Sequence, residues 1–99
     1  MPSVKIGFVG FGEVASTFSK PLVESGTQVL AYDVLLKQQG GREILQKRTR
    51  VEGIQFRPLQ EMVMNVDYVF SAVTIQVARQ VAQDCMAHLK PGQVYVDLN

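Results

Sequence analysis

Three small residues, Gly10, Gly12 and Ala15, stand at the spacing G-x-G-x-x-A within VKIGFVGFGEVASTF. Roughly 20 residues further on comes Asp33, in AYD. Together these residues have a chemistry. The first glycine permits a tight turn. The second removes the side chain where a backbone must approach a pyrophosphate, and the alanine keeps the following helix close to a sheet. Amides at the start of that helix point at the phosphates, aided by the helix dipole. A carboxylate at the end of the next strand accepts hydrogen bonds from a ribose. If these were turn residues with no ligand, the residue types and the surrounding segments would have to agree by chance.

Such a motif carries meaning only between a strand and a helix, and the flanking pattern supplies both. Five segments read as strands: Val4–Val9, Gln28–Tyr32, Ile54–Phe56, Asp67–Val73 and Gln93–Val96. They are apolar and β-branched or aromatic without clean alternation, as in strands covered on both faces. Helical patterns lie between them. Glu13–Ser25 is closed by Gly26, with Pro21 expected to kink it. Leu36–Arg48 is interrupted by Gly40-Gly41, and Leu59–Met64 is opened by Pro58. Ile75–Leu89 carries Ala78, Val81, Ala82, Cys85 and Leu89 on one stripe. Strand and helix alternate throughout, which predicts an α/β fold. It is a Rossmann-type doubly wound parallel sheet of strand order 3-2-1-4-5, with helices on both faces. Gly7, inside the first strand, is expected to allow close packing against a neighbouring backbone.

Composition narrows the function classes. The 99 residues are 46% hydrophobic and 19% charged, which suits a single globular domain, residues 1–99. A formal net charge of +1 gives no electrostatic reason for a nucleic-acid or membrane partner. No apolar run nears the roughly 20 residues of a membrane span. A single cysteine, Cys85, rules out an internal disulfide and makes a cytoplasmic location the expectation. Cys85 on the helix stripe reads as a buried small hydrophobe, His88 as a residue near a helix C-terminus, and Met62 and Met64 as packing. Lys37, Arg42, Lys47, Arg48 and Arg50 read as a solvated helix face, the alternative being that Lys37 and Arg42 flank a phosphate. No nucleophile–base pair and no metal-ligand set stands at a readable spacing, so no catalytic residue and no metal ligand is assigned.

The segments GFVGFGEVASTF, AYD, VFSAVT and LKPGQVYVDLN together resemble the N-terminal NAD(P)-binding domain of 6-phosphogluconate dehydrogenase-like and β-hydroxyacid dehydrogenase proteins. The likeness spans essentially the whole chain and is nearest to an uncharacterised bacterial branch. It implies a nicotinamide cofactor held at Gly10, Phe11, Gly12, Glu13, Val14 and Ala15, with Asp33 at the ribose. It implies that Val73 and Thr74 run beside the cofactor and that Asp97–Asn99, ending in Asn99, lies near the nicotinamide. Members carry a helical second domain with a catalytic lysine, and the substrate pocket lies between the domains. The loop after the fourth strand reads Val-Thr where many members have Leu-Pro. The expected activity is hydride transfer between NAD, or alternatively NADP, and a small hydroxy acid, with this span alone binding the dinucleotide without turnover. Two other classes fit the same fold: a non-catalytic nucleotide-sensing module and an S-adenosylmethionine-dependent methyltransferase. The winding leaves one face of strands 4 and 5 without a helix, from which a homo-oligomer is expected.

Overall fold

The computed structural model describes residues 4–98. Along the chain come β1 (Lys5–Val9), α1 (Glu13–Glu24), β2 (Gln28–Tyr32), a 3-10 helix (Val34–Lys37) and α2 (Gly41–Arg48). They are followed by β3 (Gln55–Phe56), α3 (Leu59–Met64), β4 (Tyr68–Ser71), α4 (Ile75–Met86) and β5 (Val94–Asp97). The strands form one sheet in the order β3-β2-β1-β4-β5, and every pairing is parallel. The order expected from the alternation of segments therefore holds, and the fold is Rossmann-like.

Strand alternation sorts the core into two layers. Ile6, Phe8, Val29, Ala31 and Phe56 face one side, where Ala15 of α1 and Leu45 of α2 cover them. Val9, Leu30 and Val69 face the other, under Met62 and Val63 of α3 and Cys85 of α4. The register explains this: Phe8 stands beside Ala31 on one flank and Phe70 on the other, so one row of side chains crosses three strands on the same face. Two serines sit on the buried side of α1. Ser19 donates its hydroxyl to the Ala15 carbonyl at 2.6 Å and Ser16 to the Glu13 carbonyl at 3.0 Å, so neither polar group is left unpaired against the sheet.

Several boundaries differ from the sequence expectation. The helix expected over Leu36–Arg48 is two pieces: the 3-10 helix ends before Gly40, which turns with φ +77°, and α2 starts at Gly41 against the backbone of Leu35. α4 stops at Met86 rather than Leu89, and of its stripe only Cys85 is fully buried. β5 starts one residue late. The Gln93 side chain turns back, donating to the Val63 and Val66 carbonyls and accepting from the Lys90 N–H, which ties the end of α3 to the turn before β5. Met64, expected in the core, is exposed. α1 runs on through Pro21 to Glu24.

The uncovered face is where the winding rule placed it. Tyr68, Val94 and Leu98 are exposed on the α1 side of β4 and β5, and Phe18 of α1 is 53% exposed beside them. An apolar groove of about 290 Å³ runs between Phe18, Pro21 and Leu22 of α1 and Phe70 and Leu98. Among the described residues no helix is long and apolar enough to cross a membrane.

Gly7 corrects one expectation. What crowds it is not a neighbouring backbone but side chains: an added Cβ would collide with the Met62 sulfur and stand 3.1 and 3.2 Å from the two methyls of Val66. Gly7→Val is expected to lower the unfolding free energy by about 2 kcal/mol, since overpacking forces these buried groups aside. Combined with Met62→Ala it should cost less than the two single changes together, because the deletion opens the space the valine needs. Urea denaturation of both single variants and the double reads this coupling.

Candidate dinucleotide site

The site is built where β1, β2 and β4 end. β1 delivers Gly10 with its N–H on the Tyr32 carbonyl at 2.8 Å, and the Ala72 N–H returns to the Val9 carbonyl at 2.9 Å. Gly10 has φ +88°. A Cβ there would lie 2.6 Å from the Ala72 carbonyl oxygen and 2.8 Å from Val73 Cγ1, so both conformation and space demand glycine. Gly12 is different. It has extended backbone at φ −90°, which any residue adopts, and a Cβ there would meet no protein atom within 4 Å. The protein's own packing therefore gives no reason for a glycine at this position.

Between them, Phe11 is fully buried and packs edge-on against Phe56, with ring centroids 5.1 Å apart. Burying such a ring is worth roughly 2–3 kcal/mol, which makes its side chain an anchor of the loop. Gly12 caps α1 with no side-chain hydrogen bond to the first amides, and the helix begins with Glu13 and Val14, both exposed. Ala15 is buried against the sheet, as the motif requires.

Asp33 sits just past β2 and binds two backbone groups. Its Oδ2 accepts from the Phe11 N–H at 2.8 Å and its Oδ1 from the Leu35 N–H at 2.9 Å, the latter capping the 3-10 helix. Each carboxylate oxygen has further lone pairs, so a ribose hydroxyl can still bond there. Asp33 and Gly10 line one cavity of about 470 Å³, together with Lys37, Arg42, Val73 and Val81. The structure thus brings Gly10, Asp33 and Val73 to one space. Gly12 and Glu13 open into a separate hollow of about 430 Å³ with Arg48 and Arg50. Thr74 is exposed at the cap of α4, where its carbonyl accepts from the Val77 N–H. Asn99 lies outside the described residues.

All five basic residues are exposed, as a solvated face requires, and some of them also reach the loop ends. Lys37 and Arg42 line the large cavity, the Arg42 guanidinium donates to the Phe56 carbonyl at 3.3 Å, and that of Arg48 donates to the Phe11 carbonyl at 3.2 Å. Helical spacing could not signal this, because the 3-10 turn and Gly40 redirect α2 across the strand ends. Cys85 is chemically quiet. Burial, with the Asp84 carboxylate adding to it, pushes its thiol up to about 11, so it stays protonated at neutral pH.

Residues 5–99 match the family described as NADP oxidoreductase coenzyme F420-dependent. The chain belongs to that family. It is also 36% identical over 100 residues to an uncharacterised 28.5 kDa protein of Methanothermus fervidus, covering 97% of this chain and 36% of that protein. Among solved structures, a conserved hypothetical protein of Sinorhizobium meliloti superposes with a TM-score of 0.88 at 26% identity, over 99% of this chain and 33% of that one. A conserved protein of unknown function, reported to be structurally similar to 3-hydroxyacid dehydrogenases, superposes at 0.78 with 31% identity, over 97% and 34%. The chain spans about a third of the length of these relatives. It is a domain of an NAD(P)-binding oxidoreductase family.

The two glycines of the turn are expected to separate on substitution. Gly10→Ala should cost at least about 2 kcal/mol of folding stability, through left-handed strain and the clash with Ala72. Gly12→Ala should leave stability within about 0.5 kcal/mol of the parent. Thermal unfolding followed by circular dichroism distinguishes the two.

Proposed function

We propose that this chain is the cofactor-holding part of an NAD-preferring dehydrogenase of small hydroxy acids. One observation carries the reading. Gly12 is a glycine for which the protein has no internal use, at the open start of α1, two residues after Gly10, which lines the cavity that holds Asp33. A pyrophosphate at the uncapped amides supplies the missing reason: a side chain at residue 12 would occupy the phosphates' place. When bound, the nicotinamide supplies or accepts the hydride. The backbone of Gly10 to Ala15 would hold the pyrophosphate, Asp33 the adenosine ribose, and the loop of Val73 and Thr74 would flank the dinucleotide. The hydroxy-acid class follows the relative's stated likeness to 3-hydroxyacid dehydrogenases. Coenzyme F420, named in the family's description, is the other candidate partner for the hydride.

The proton of the hydroxyl needs an acceptor within hydrogen-bond reach of the substrate. Lys5 begins β1 at the end opposite the glycine turn, and Lys37 lies beside Asp33 at the adenosine end. We assign the proton-transfer group, and the second wall of the substrate pocket, to a helical domain outside these 99 residues, in a protein of the cytoplasm.

The preference for NAD rests on Asp33, which faces the ribose where the two dinucleotides differ and whose charge opposes a 2′-phosphate. Arg42 is already donating to the Phe56 carbonyl, which leaves Lys37 as the nearer counter-charge. NADH is expected to bind more tightly than NADPH. Asp33→Asn, which keeps an acceptor oxygen but removes the charge, should narrow the gap, and Gly12→Val should weaken both. Calorimetry with each dinucleotide checks this, and tighter binding of NADPH to the unaltered chain refutes the preference.

In a pure solution of this chain, a second copy is the only apolar surface available to cover Phe18, Tyr68, Val94 and Leu98. The isolated chain is expected to self-associate through that face, and Phe18→Asp to shift it toward monomer. Sedimentation over a concentration series measures both.

A further inference from the structure

Phe11, the middle residue of the glycine turn, is held from three directions. Its ring is locked against Phe56, its N–H is bound by Asp33, and its carbonyl accepts from Arg48 Nη1 at 3.2 Å. Arg48 is the last residue of α2, where the partial negative charge of the helix end favours a cation. A trans peptide points its C=O and its N–H in opposite directions, and no peptide bond among the described residues is cis. Turning the Phe11 carbonyl toward Arg48 therefore turns the Gly12 N–H away from it.

We propose that Arg48 is a positioning residue of the dinucleotide site: by holding the Phe11 carbonyl it aims the Gly12 amide before any ligand arrives. The inference rests on the dinucleotide reading given above. Pre-set donors bind an anion more tightly than donors that must be ordered on binding. The other role open to Arg48 is a direct contact with phosphate, since Arg48 and Arg50 line the hollow at Gly12. Two features favour the positioning role. The Arg48 guanidinium is already donating to the loop, and the Glu13 carboxylate lines the same hollow, where it opposes an anion.

The test uses the 99-residue chain with Arg48→Ala, Arg48→Lys and Arg50→Ala. NADH affinity is measured by calorimetry over a range of salt concentrations, and the Gly12 amide resonance is recorded without ligand. Arg48→Ala is expected to weaken NADH binding about tenfold, the factor set by losing one hydrogen bond from a charged donor. It should move the ligand-free Gly12 resonance and leave the salt dependence of affinity as in the parent. Arg48→Lys should recover part of both effects. Arg50→Ala should leave the Gly12 resonance in place. Unchanged affinity in Arg48→Ala overturns the proposal. So does an unmoved Gly12 resonance together with a shallower salt dependence, which would mark a direct phosphate contact. Should Arg48→Ala not fold, Arg48→Lys decides: a moved resonance with weakened binding supports the role, and full affinity with a moved resonance refutes it. Failure of the unaltered chain to bind NADH overturns the reading of the site itself, and the role of Arg48 falls with it.

Discussion

No side chain fits at residue 10. The carbonyl of Ala72 stands where a Cβ would go, and the backbone adopts a positive φ that other residues resist. This contact lets β1 end flush against the loop that follows β4, so the chain can turn directly into α1. From that turn the remaining geometry follows. Phe11 drops its ring into the core, Gly12 is left at the surface, and α1 begins with its amides open. The shape of this turn depends less on any one polar side chain than on the backbone being admitted to a place where side chains are not.

Charged groups then hold the turn in place. Asp33 and Arg48 have opposite charge and act on the two peptides that flank Phe11, one accepting from an N–H and one donating to a carbonyl. Bonds to ionised groups are the stronger kind, and here they fasten a loop whose glycines would otherwise leave it mobile. Asp33 thus has two duties. It orders the turn and the 3-10 helix, and it lines the cavity where the proposed ribose would sit. A substitution at Asp33 changes both: even an amide, with one acceptor oxygen where the carboxylate uses two, removes the charge and one of the two backbone bonds.

The two faces of the sheet are unequal. Right-handed crossovers place α1 and α2 over β1 to β3 on one side and α3 and α4 on the other. A further parallel strand added beyond β5 by the same rule would bring its helix to the side that is already covered. The apolar row Tyr68, Val94 and Leu98, with Phe18 beside it, therefore needs cover from something other than continued winding. The chain accounts for about a third of its relatives' length, which leaves room for such cover in a whole protein.

Much of this was legible in the residues themselves. The strand order, the five parallel strands, the glycine turn and the place of Asp33 follow from local signals: apolar runs, small residues at a fixed spacing and a carboxylate at a strand end. These are short-range properties, set by neighbours in the chain. What the residues alone left undecided depends on contacts between distant segments. Arg48 is the solvated helix residue its spacing suggests, but its bond to Phe11, 37 positions away, exists only once α2 is broken at Gly40 and laid across the strand ends. Gly7 reads as a backbone contact until α3 brings Met62 and Val66 down upon it. Gln93 reads as strand until its side chain is needed by the carbonyls of Val63 and Val66. The sequence determined which elements form and where the glycine turn between β1 and α1 lies. The tertiary structure decided which side chains hold that turn in shape, because a hydrogen bond between segments exists only once packing has brought donor and acceptor together.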